Sequence, residues 1–448
     1  MIATLLMAFA LLRKPEFGVV CLVAIPYSNL APIVSEKTGF GYLFTLNIAM
    51  GLGLLLVYSV LYGDKVENSA RFVFAFSLWV AAVCLSIVFA PLPKMSAHAL
   101  RSVIPSLVLA ITLFSLLTNS ARITAAFNTI LAVCTFFATL TTFQFLLGME
   151  GNNFSGMANG DFENIANGIF KFRPSGPAND PNYYSLYLLP GVALGFYSAL
   201  HSKNLIACVV AGYSVVVITS AILLTASRGA FIALAIVCFI LILKSFRTSV
   251  VLLIGAAALA IPLFLSPEYL DRIAVLFKFL STVGSEQVGV QDSSVSGRLA
   301  EMHAAWIVFT EHPWTGIGYG QFQNYYQSTS FEHQILMRPF DRSAHSLYLE
   351  AAAEQGLFGL LALLLLVTFA LIAVAKSVLS FGDKGIELGQ RLYFFGVGIL
   401  GVLIGSIFLH DAFPHYFWVL IAISFACERL ALPIGNDGPL LNAELKEN

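Results

Sequence analysis

The chain has 448 residues, of which 58% are hydrophobic and 11% are charged, and its formal net charge is −1. Soluble domains carry about 25% charged residues, so this composition excludes a soluble protein with an ordinary charged surface. A net charge near zero also gives no bulk field that would attract nucleic acid. We therefore expect an all-α integral membrane protein surrounded by membrane lipids.

Apolar segments follow one another along the chain, and most approach the length of about 20 residues that a spanning helix needs. They lie near residues 1–12, 16–33, 42–62, 72–91, 97–117, 123–147, 182–200, 204–225, 229–243, 248–265, 346–375, 392–409 and 414–430. The sequence therefore predicts about 12 or 13 transmembrane helices. The first segment is short for a crossing, and it lacks the basic start and the small-residue cleavage site of a signal peptide.

Two connections are long, near residues 150–181 and 266–345, whereas the others are short. Lys and Arg in short loops mark the cytoplasmic side, and their alternation along this chain places both long loops outside and the C-terminus inside. The predicted parts are an N-terminal bundle over 1–265, a large and partly helical outer loop over 266–345, C-terminal membrane helices over 346–430 and a cytoplasmic tail over 431–448.

One arginine, Arg228, lies between two apolar runs with almost no loop around it. A bare charge at bilayer depth is costly, so such residues usually face a cavity or a partner. The alternative is an arginine whose side chain simply reaches the membrane interface. Nothing else in this turn is charged, and Gly229 and Ala230 leave room for close approach, which favours a ligand-binding role.

The outer loop 266–345 contains five Lys/Arg and eight Asp/Glu, so an anion site there has to use individually placed arginines. Arg298 is predicted to lie in the first turn of a helix, where the helix dipole disfavours a cation. This suggests an anionic partner, although a local pair with Glu301 at i+3 is the alternative. The apolar residues that recur at helical spacing in this segment are Leu299, Met302, Trp306 and Phe309.

Two further segments have the composition of turns. Residues 312–322 form a glycine-rich run, HPWTGIGYGQF, whose spacing matches neither GxGxxG nor a Walker phosphate loop, so a tight turn that packs the loop is the favoured interpretation. Residues 173–182, RPSGPANDPN, predict turns followed by a helix that starts at Asn182. Arg173 could face the same pocket as the other arginines, although we expect most of this segment to be scaffold.

His345 lies at the predicted N-terminus of a membrane helix, after Arg338 and Arg342. The positive helix end and the arginines disfavour imidazolium, and a neutral imidazole can accept a proton as a general base must. A histidine that only caps the helix is the alternative. Glu350 and Glu354 are expected to be buried, either as partners of an arginine or as part of the site.

The spacing of His345, Ser346, Gly356 and Gly359 resembles the signature of the O-antigen ligase and polymerase superfamily. In that signature, a His and an Asn, Ser or Gln are followed by nine residues and Gly-x-x-Gly. These are bacterial inner-membrane enzymes that act on undecaprenyl-diphosphate-linked glycans. The two glycines are also suited to close helix packing.

The resemblance covers roughly residues 170–362, because the Arg228 turn, the Arg298 helix and the long outer loop follow in the family's order. The family's outer-loop arginine motif usually ends in Leu four residues on, where this chain has Met302. Some polymerases of the superfamily carry an Arg followed by ten residues and Gly. No arginine of this chain has glycine at that offset, which favours the ligase.

The resemblance implies an inverting, metal-independent transferase that moves a glycan from undecaprenyl diphosphate to the lipid A-core oligosaccharide in lipopolysaccharide biosynthesis. His345 would deprotonate the acceptor hydroxyl at a site that faces the periplasm, and the helix near 298–311 would help to enclose both head groups. The expected donor-diphosphate ligands are Arg228 and Arg298, with Arg342, Arg338 and Arg173 as further candidates. We expect no metal or other cofactor, because no Asp/Glu cluster suited to Mg²⁺ stands out in the outer loops.

Two alternatives remain from the sequence. A polymerase of the same superfamily, with a glycan on a second lipid diphosphate as its acceptor, would use the same residues for the same steps. A transporter of lipid-linked glycans is less favoured, because transporters often show internal repeats that this sequence lacks.

Overall fold

A computed structural model of the chain describes residues 15–61, 69–166, 169–244, 293–336, 342–382, 387–409 and 414–431. Over these residues the chain forms fourteen α-helices and one two-stranded antiparallel hairpin. The predicted all-α membrane fold is therefore confirmed. The predicted segments near 1–12 and 248–265 lie outside the described residues.

The helices start and end within a few residues of the predicted apolar segments in most cases. The first six are α1 Pro15–Tyr27, α2 Leu30–Thr38, α3 Leu43–Leu61, α4 Ala70–Val88, α5 Pro93–Leu116 and α6 Ser120–Leu146. Next come β1 Asn159–Ala166, β2 Ile169–Gly176, α7 Pro181–Leu200, α8 Leu205–Leu224 and α9 Arg228–Lys244. The last five are α10 Ser293–Glu311, α11 Phe322–Glu332, α12 Leu347–Gly382, α13 Glu387–Gly405 and α14 His415–Ala431.

Six of the described helices are long and apolar enough to cross a membrane, namely α4, α5, α6, α8, α12 and α13. Helices α1 and α2 pass the same test together, but they meet at 73°, so the continuous segment predicted over 16–33 is wrong. Asn29, between them, has a left-handed backbone with φ of 51°, which turns the chain. With six such helices, or seven if the bent pair is counted, this is a multi-pass membrane protein.

Helix α7 forms the centre of the bundle, and nearly all of its residues are buried. It starts at Pro181, one residue before the predicted position, because Asp180 caps it: the Asp180 carboxylate accepts hydrogen bonds from the backbone N–H groups of Asn182 and Tyr183 at 2.7 and 3.0 Å. The sequence predicted only turns in the segment before α7, whereas the structure also has the hairpin β1–β2 there. The cap and the hairpin hold the chain before α7 in a fixed place.

Helix α12 is broken at Gly356, whose φ of 64° and ψ of −162° are not helical. The predicted apolar segment over 346–375 is one candidate span, but its helix is interrupted at this residue. Glu350, Glu354 and Gln355 precede the break, whereas the ten residues after it are apolar. The break frees backbone groups, and the glycine-rich turn before α11 satisfies them. The N–H of Ile317 donates to the Ala353 carbonyl at 3.0 Å, and the N–H of Leu357 donates to the Pro313 carbonyl at 2.7 Å.

The backbone of the glycine-rich turn contacts the backbone of α12 directly at the Gly356 break. A Cβ atom on Gly316 would lie 2.3 Å from the Glu354 carbonyl carbon, and one on Gly356 would lie 2.3 Å from the Trp314 carbonyl. The interpretation of residues 312–322 as a tight packing turn is therefore confirmed. The sequence analysis predicted that Gly356 packs against a neighbouring helix. In the structure it packs against this turn instead. Glu354 supports the turn, since its carboxylate accepts the N–H groups of Gly320 and Phe322 at 2.8 and 3.0 Å.

The residues that follow α13 contact the first residues of both α9 and α12. The N–H of Leu347, at the start of α12, donates to the Ser406 carbonyl at 3.0 Å. A Cβ atom on Gly229, at the start of α9, would contact Phe408 at 2.9 Å. The helices α9 and α12 therefore begin at one face. This loop face comprises residues 150–166, 169–180, 225–227, 312–336, 342–346 and 406–409.

Candidate active site

The short turn between α8 and α9 carries Arg228 to the loop face. Arg228 is the first residue of α9 and is partly buried. From β2, the buried side chain of Arg173 reaches this turn, and its Nε donates a hydrogen bond of 2.8 Å to the Thr225 carbonyl. Arg173 and Arg228, from separate parts of the chain, thus lie at one turn.

Arg298, on α10, completes a group of three arginines. Burial lowers the pKa of Arg298, and the positive charges of Arg173 and Arg228 lower it further, whereas Asp180 and Glu301 act in the opposite direction. The three guanidinium groups therefore lie close enough for their charges to act on one another. We call Arg173, Arg228 and Arg298 the arginine cluster.

The predicted place of Arg298 in the first helical turn is wrong. Helix α10 begins at Ser293, so Arg298 is its sixth residue and lies in the second turn, where the helix dipole acts weakly. The helix dipole therefore does not point to an anionic partner. The crowding of like charges in the arginine cluster gives an independent reason to expect one.

The apolar spacing along α10 describes its outer face. Leu299 and Trp306 are 42% and 51% exposed. The face that packs on the protein instead carries small residues and Glu301: Ala300, Ala304, Ala305 and Val308 are all buried. The small side chains let α10 approach α12 closely, so that Arg298 and Glu301 reach inward.

Glu301 is fully buried, and its carboxylate lies between two residues of the segment before α12. Its Oε2 lies 3.3 Å from Nε2 of His345, and its Oε1 lies 3.8 Å from Nε of Arg342. The side chains of His345 and Arg342 are 16% and 32% exposed, so both also reach the surface of the site. As predicted, His345 precedes a membrane helix, which begins two residues later at Leu347.

Three residues beside the site have left-handed backbones although they are not glycine: Asn179, Ala226 and His345, with φ of 59°, 53° and 49°. Asn and His adopt this conformation more readily than most residues, but for Ala it costs roughly 1–2 kcal/mol. Such conformations persist where the surrounding structure imposes them, and they occur often at active sites. They direct Asp180, Arg228 and the His345 side chain toward the same region.

The structure brings most of the predicted site residues together. The arginine cluster is linked to Arg342 and His345 through Glu301, whereas Arg338 lies outside the described residues. Glu354 belongs to the turn rather than to this group. The sequence analysis missed Glu301 as a member of the site, because an acid three residues after an arginine resembles a local helix pair. The sequence did contain one indication of its role, because Glu301 lies on the alanine-rich face of α10, which is the face expected to be buried.

A family model described as O-antigen ligase matches residues 213–364. The match covers about a third of the chain, and it contains Arg228, Arg298, Glu301, Arg342 and His345. No curated protein matches the chain. Fold and site together define a multi-pass membrane protein with a glycosyltransferase-like domain. The matched domain supports the resemblance to the O-antigen ligase superfamily that was found in the sequence motifs.

Proposed function

We propose that the protein is an O-antigen ligase: an inverting glycosyltransferase that moves a glycan from undecaprenyl diphosphate to the lipid A-core oligosaccharide. It acts in the bacterial inner membrane, with the loop face toward the periplasm. The observation that carries the proposal is the meeting of the arginine cluster with the Glu301–His345 pair. The family domain, which contains all of these residues except Arg173, supports the reaction class.

The charge of the site suits a diphosphate. The arginine cluster and Arg342 provide four positive charges, while Asp180 and Glu301 provide two negative ones, so the formal surplus is about +2 at neutral pH. Guanidinium groups bind phosphate oxygens through paired hydrogen bonds. When the bond to the sugar breaks, the diphosphate gains negative charge, and the same arginines stabilise it as a leaving group.

His345 is the proposed general base. Its imidazole takes the proton of the acceptor hydroxyl, and the acceptor oxygen forms a bond to the anomeric carbon of the donor sugar. The bond from that carbon to the diphosphate oxygen breaks, and its electron pair stays on the diphosphate. Attack from the face opposite the leaving group inverts the anomeric carbon. Arg298 and Glu301 are one helical turn apart on α10, which supports a short path between base and leaving group.

A polymerase of the same superfamily is the second candidate. Its acceptor, a glycan on a second lipid diphosphate, would also present a hydroxyl to His345. Arg342 supports this candidate, because it is partly exposed beside the base and could bind a second diphosphate. The two functions differ in the acceptor rather than in the chemistry.

A gel of surface glycans from a deletion strain tests the proposal. The ligase predicts that polymer disappears from the lipid A core and stays on the lipid carrier, and that the wild-type gene restores it. Loss of chain length with one repeat still attached to the core would identify a polymerase. Unchanged glycans, or glycan retained on the cytoplasmic side of the membrane, would contradict both transferases.

A further inference from the structure

The carboxylate of Glu301 is enclosed by charged residues of the site. It is fully buried, and a buried carboxylate is costly unless it is paired. It contacts His345 and Arg342 across the loop, and it raises the pKa of Arg298 on its own helix. Its position between the arginine cluster and the base allows two roles: an anchor for arginines, or an orienting group for the base.

The distance of 3.3 Å between Oε2 of Glu301 and Nε2 of His345 favours one position for the ring hydrogen. An ionised carboxylate can only accept hydrogen bonds, and a neutral imidazole has one N–H group. Since Nε2 is the nitrogen that lies 3.3 Å from Glu301, the favoured tautomer has its hydrogen on Nε2. The lone pair of the neutral ring is then on Nδ1.

We propose that Glu301 is a positioning residue for His345: its carboxylate holds the Nε2–H group, so that Nδ1 takes the proton of the acceptor hydroxyl. The ring becomes an imidazolium with hydrogens on both nitrogens, and the adjacent carboxylate stabilises that charge. The proton later leaves from Nδ1 to solvent, which restores the starting tautomer. This inference rests on the proposed glycosyl transfer and adds to it the tautomer and the group that sets it.

The segment that carries His345 is anchored in a way that suits this role. Nε2 of Gln323, on α11, donates a hydrogen bond of 2.8 Å to Oγ of Ser343, and Ala344 is fully buried. His345 itself has the left-handed backbone described above. The backbone is thus fixed on one side of the ring, and Glu301 fixes the ring on the other.

The same helix provides a matched control. At its exposed end, Oε1 of Glu311 lies 2.9 Å from Nε2 of His333, so α10 carries two Glu–His contacts, one buried in the site and one on the surface. Glu311→Gln removes a carboxylate from the same helix and the same kind of contact. It is expected to leave transfer unchanged.

The test compares Glu301→Gln, Glu301→Asp and Glu311→Gln in purified enzyme, with donor-lipid binding, kcat and KM for each substrate. Groups that orient a catalytic histidine or metal ligand are commonly worth about 10–100-fold. We expect Glu301→Gln to lower kcat at least tenfold, with KM and donor binding within about twofold of wild type. Glu301→Asp keeps the charge and should recover part of kcat.

A spectroscopic measurement separates positioning from folding. In wild-type protein with ¹⁵N-labelled histidine, the signal that disappears in His345→Gln should be that of a ring protonated at Nε2. In Glu301→Gln, this signal should change toward a mixture of tautomers. If Glu301→Gln does not fold, the wild-type spectrum and the kcat of Glu301→Asp test whether Glu301 positions His345.

Three results would overturn the inference: a wild-type kcat in Glu301→Gln, a loss confined to donor binding, or a wild-type ring protonated at Nδ1. The second result would mean that Glu301 acts through Arg298 alone. Failure of the proposed function is distinct, because the wild-type enzyme would then transfer glycan to neither a lipid A-core acceptor nor a second lipid-linked glycan.

Discussion

Arg298 lies where its charge is disfavoured by its surroundings. Burial and two neighbouring guanidinium groups lower its pKa, and like charges at short range repel more strongly where water is scarce. An anion that contacts all three arginines removes this repulsion. The carboxylates of Asp180 and Glu301 offset part of it, and the proposed donor diphosphate would offset more.

Donor binding should depend on each arginine of this cluster. Hydrogen bonds to charged groups are worth about 1.5–3 kcal/mol, so Arg228→Ala and Arg298→Ala should each weaken donor-lipid binding and slow transfer at least tenfold. Lys should rescue only partly, because it lacks the guanidinium fork. Arg391→Ala is a suitable control, since Arg391 lies against Tyr197 on a different part of the molecule.

Donor and acceptor binding must be measured separately in these variants and in the Arg228/Arg298 double mutant. Unchanged donor binding together with weaker acceptor binding would contradict the assignment. The arginines would then hold phosphates of the acceptor.

The proposed base role of His345 predicts a loss of transfer without a loss of donor binding or stability. In His345→Gln, an amide replaces the imidazole, keeps hydrogen-bonding capacity and cannot take the proton. Transfer should fall by about 10²–10⁴-fold, while donor binding and thermal unfolding stay near wild type. His345→Ala should be equally inactive. Near-normal glycan attachment in either variant, measured on surface-glycan gels, would rule out the base role.

At this scale, the sequence identifies residues whose charge conflicts with apolar surroundings. Arg228 was found in this way, His345 was found by its place at a helix N-terminus after two arginines, and Arg298 was found for a reason that the structure does not support. Glu301 was not found, because it contacts His345, which lies 44 positions later in the chain. Pairings between distant segments arise from tertiary packing, and a single sequence does not contain that information.

Among the elements, α12 has a break that hydropathy does not predict. Glu354 and Gln355 stand directly before Gly356 and an apolar run follows it, but this change in polarity alone does not show that the backbone leaves the helix there. The break depends on the turn Pro313–Gly316, whose backbone occupies the space beside it. Element limits could be predicted from apolar runs, whereas this break required knowledge of its partner.

The contact between this turn and the break should tolerate no side chain at Gly356. Its φ is +64°, and a Cβ atom would lie 2.3 Å from the Trp314 carbonyl. We expect Gly356→Ala to destabilise the protein by about 2 kcal/mol or more, from backbone strain and overlap together. Thermal or denaturant unfolding in detergent would measure the loss.

Gly212→Ala provides the comparison for this prediction. Gly212 lies within α8, where a Cβ atom would contact nothing within 4 Å, so alanine should be neutral or stabilise the helix by up to about 1 kcal/mol. Equal unfolding of the two variants would contradict the proposed importance of the turn.

Across the whole molecule, the bundle gathers the starts of α9 and α12 at the loop face. Helix N-termini carry partial positive charge and favour anions. This partial charge adds to the formal charges of the arginines and makes the electrostatic potential of the site positive. The alternation of Lys and Arg predicted that these loops share one side, and the contacts at the end of α13 agree.

This positive charge leads to a prediction about metal ions. Because arginines and helix ends neutralise the leaving group, transfer by the purified enzyme should continue in excess EDTA at an unchanged rate. The measurement is a time course with and without the chelator, with a metal-dependent transferase run in parallel. Activity that stops with EDTA and returns with Mg²⁺ or Mn²⁺ would contradict the prediction.

The position of α10 also bears on how such proteins can diverge or be engineered. One turn of this helix presents Arg298 to residues of β2 and α9, and Glu301 to residues before α12. A chimera that receives only the outer loop 266–345 from another protein would keep the contacts of Glu301 with Arg342 and His345, but it would separate Arg298 from Arg173 and Arg228. Such a chimera would need compensating changes in two distant segments, β2 and the start of α9, so exchange of the loop alone is expected to yield inactive proteins more often than new specificities.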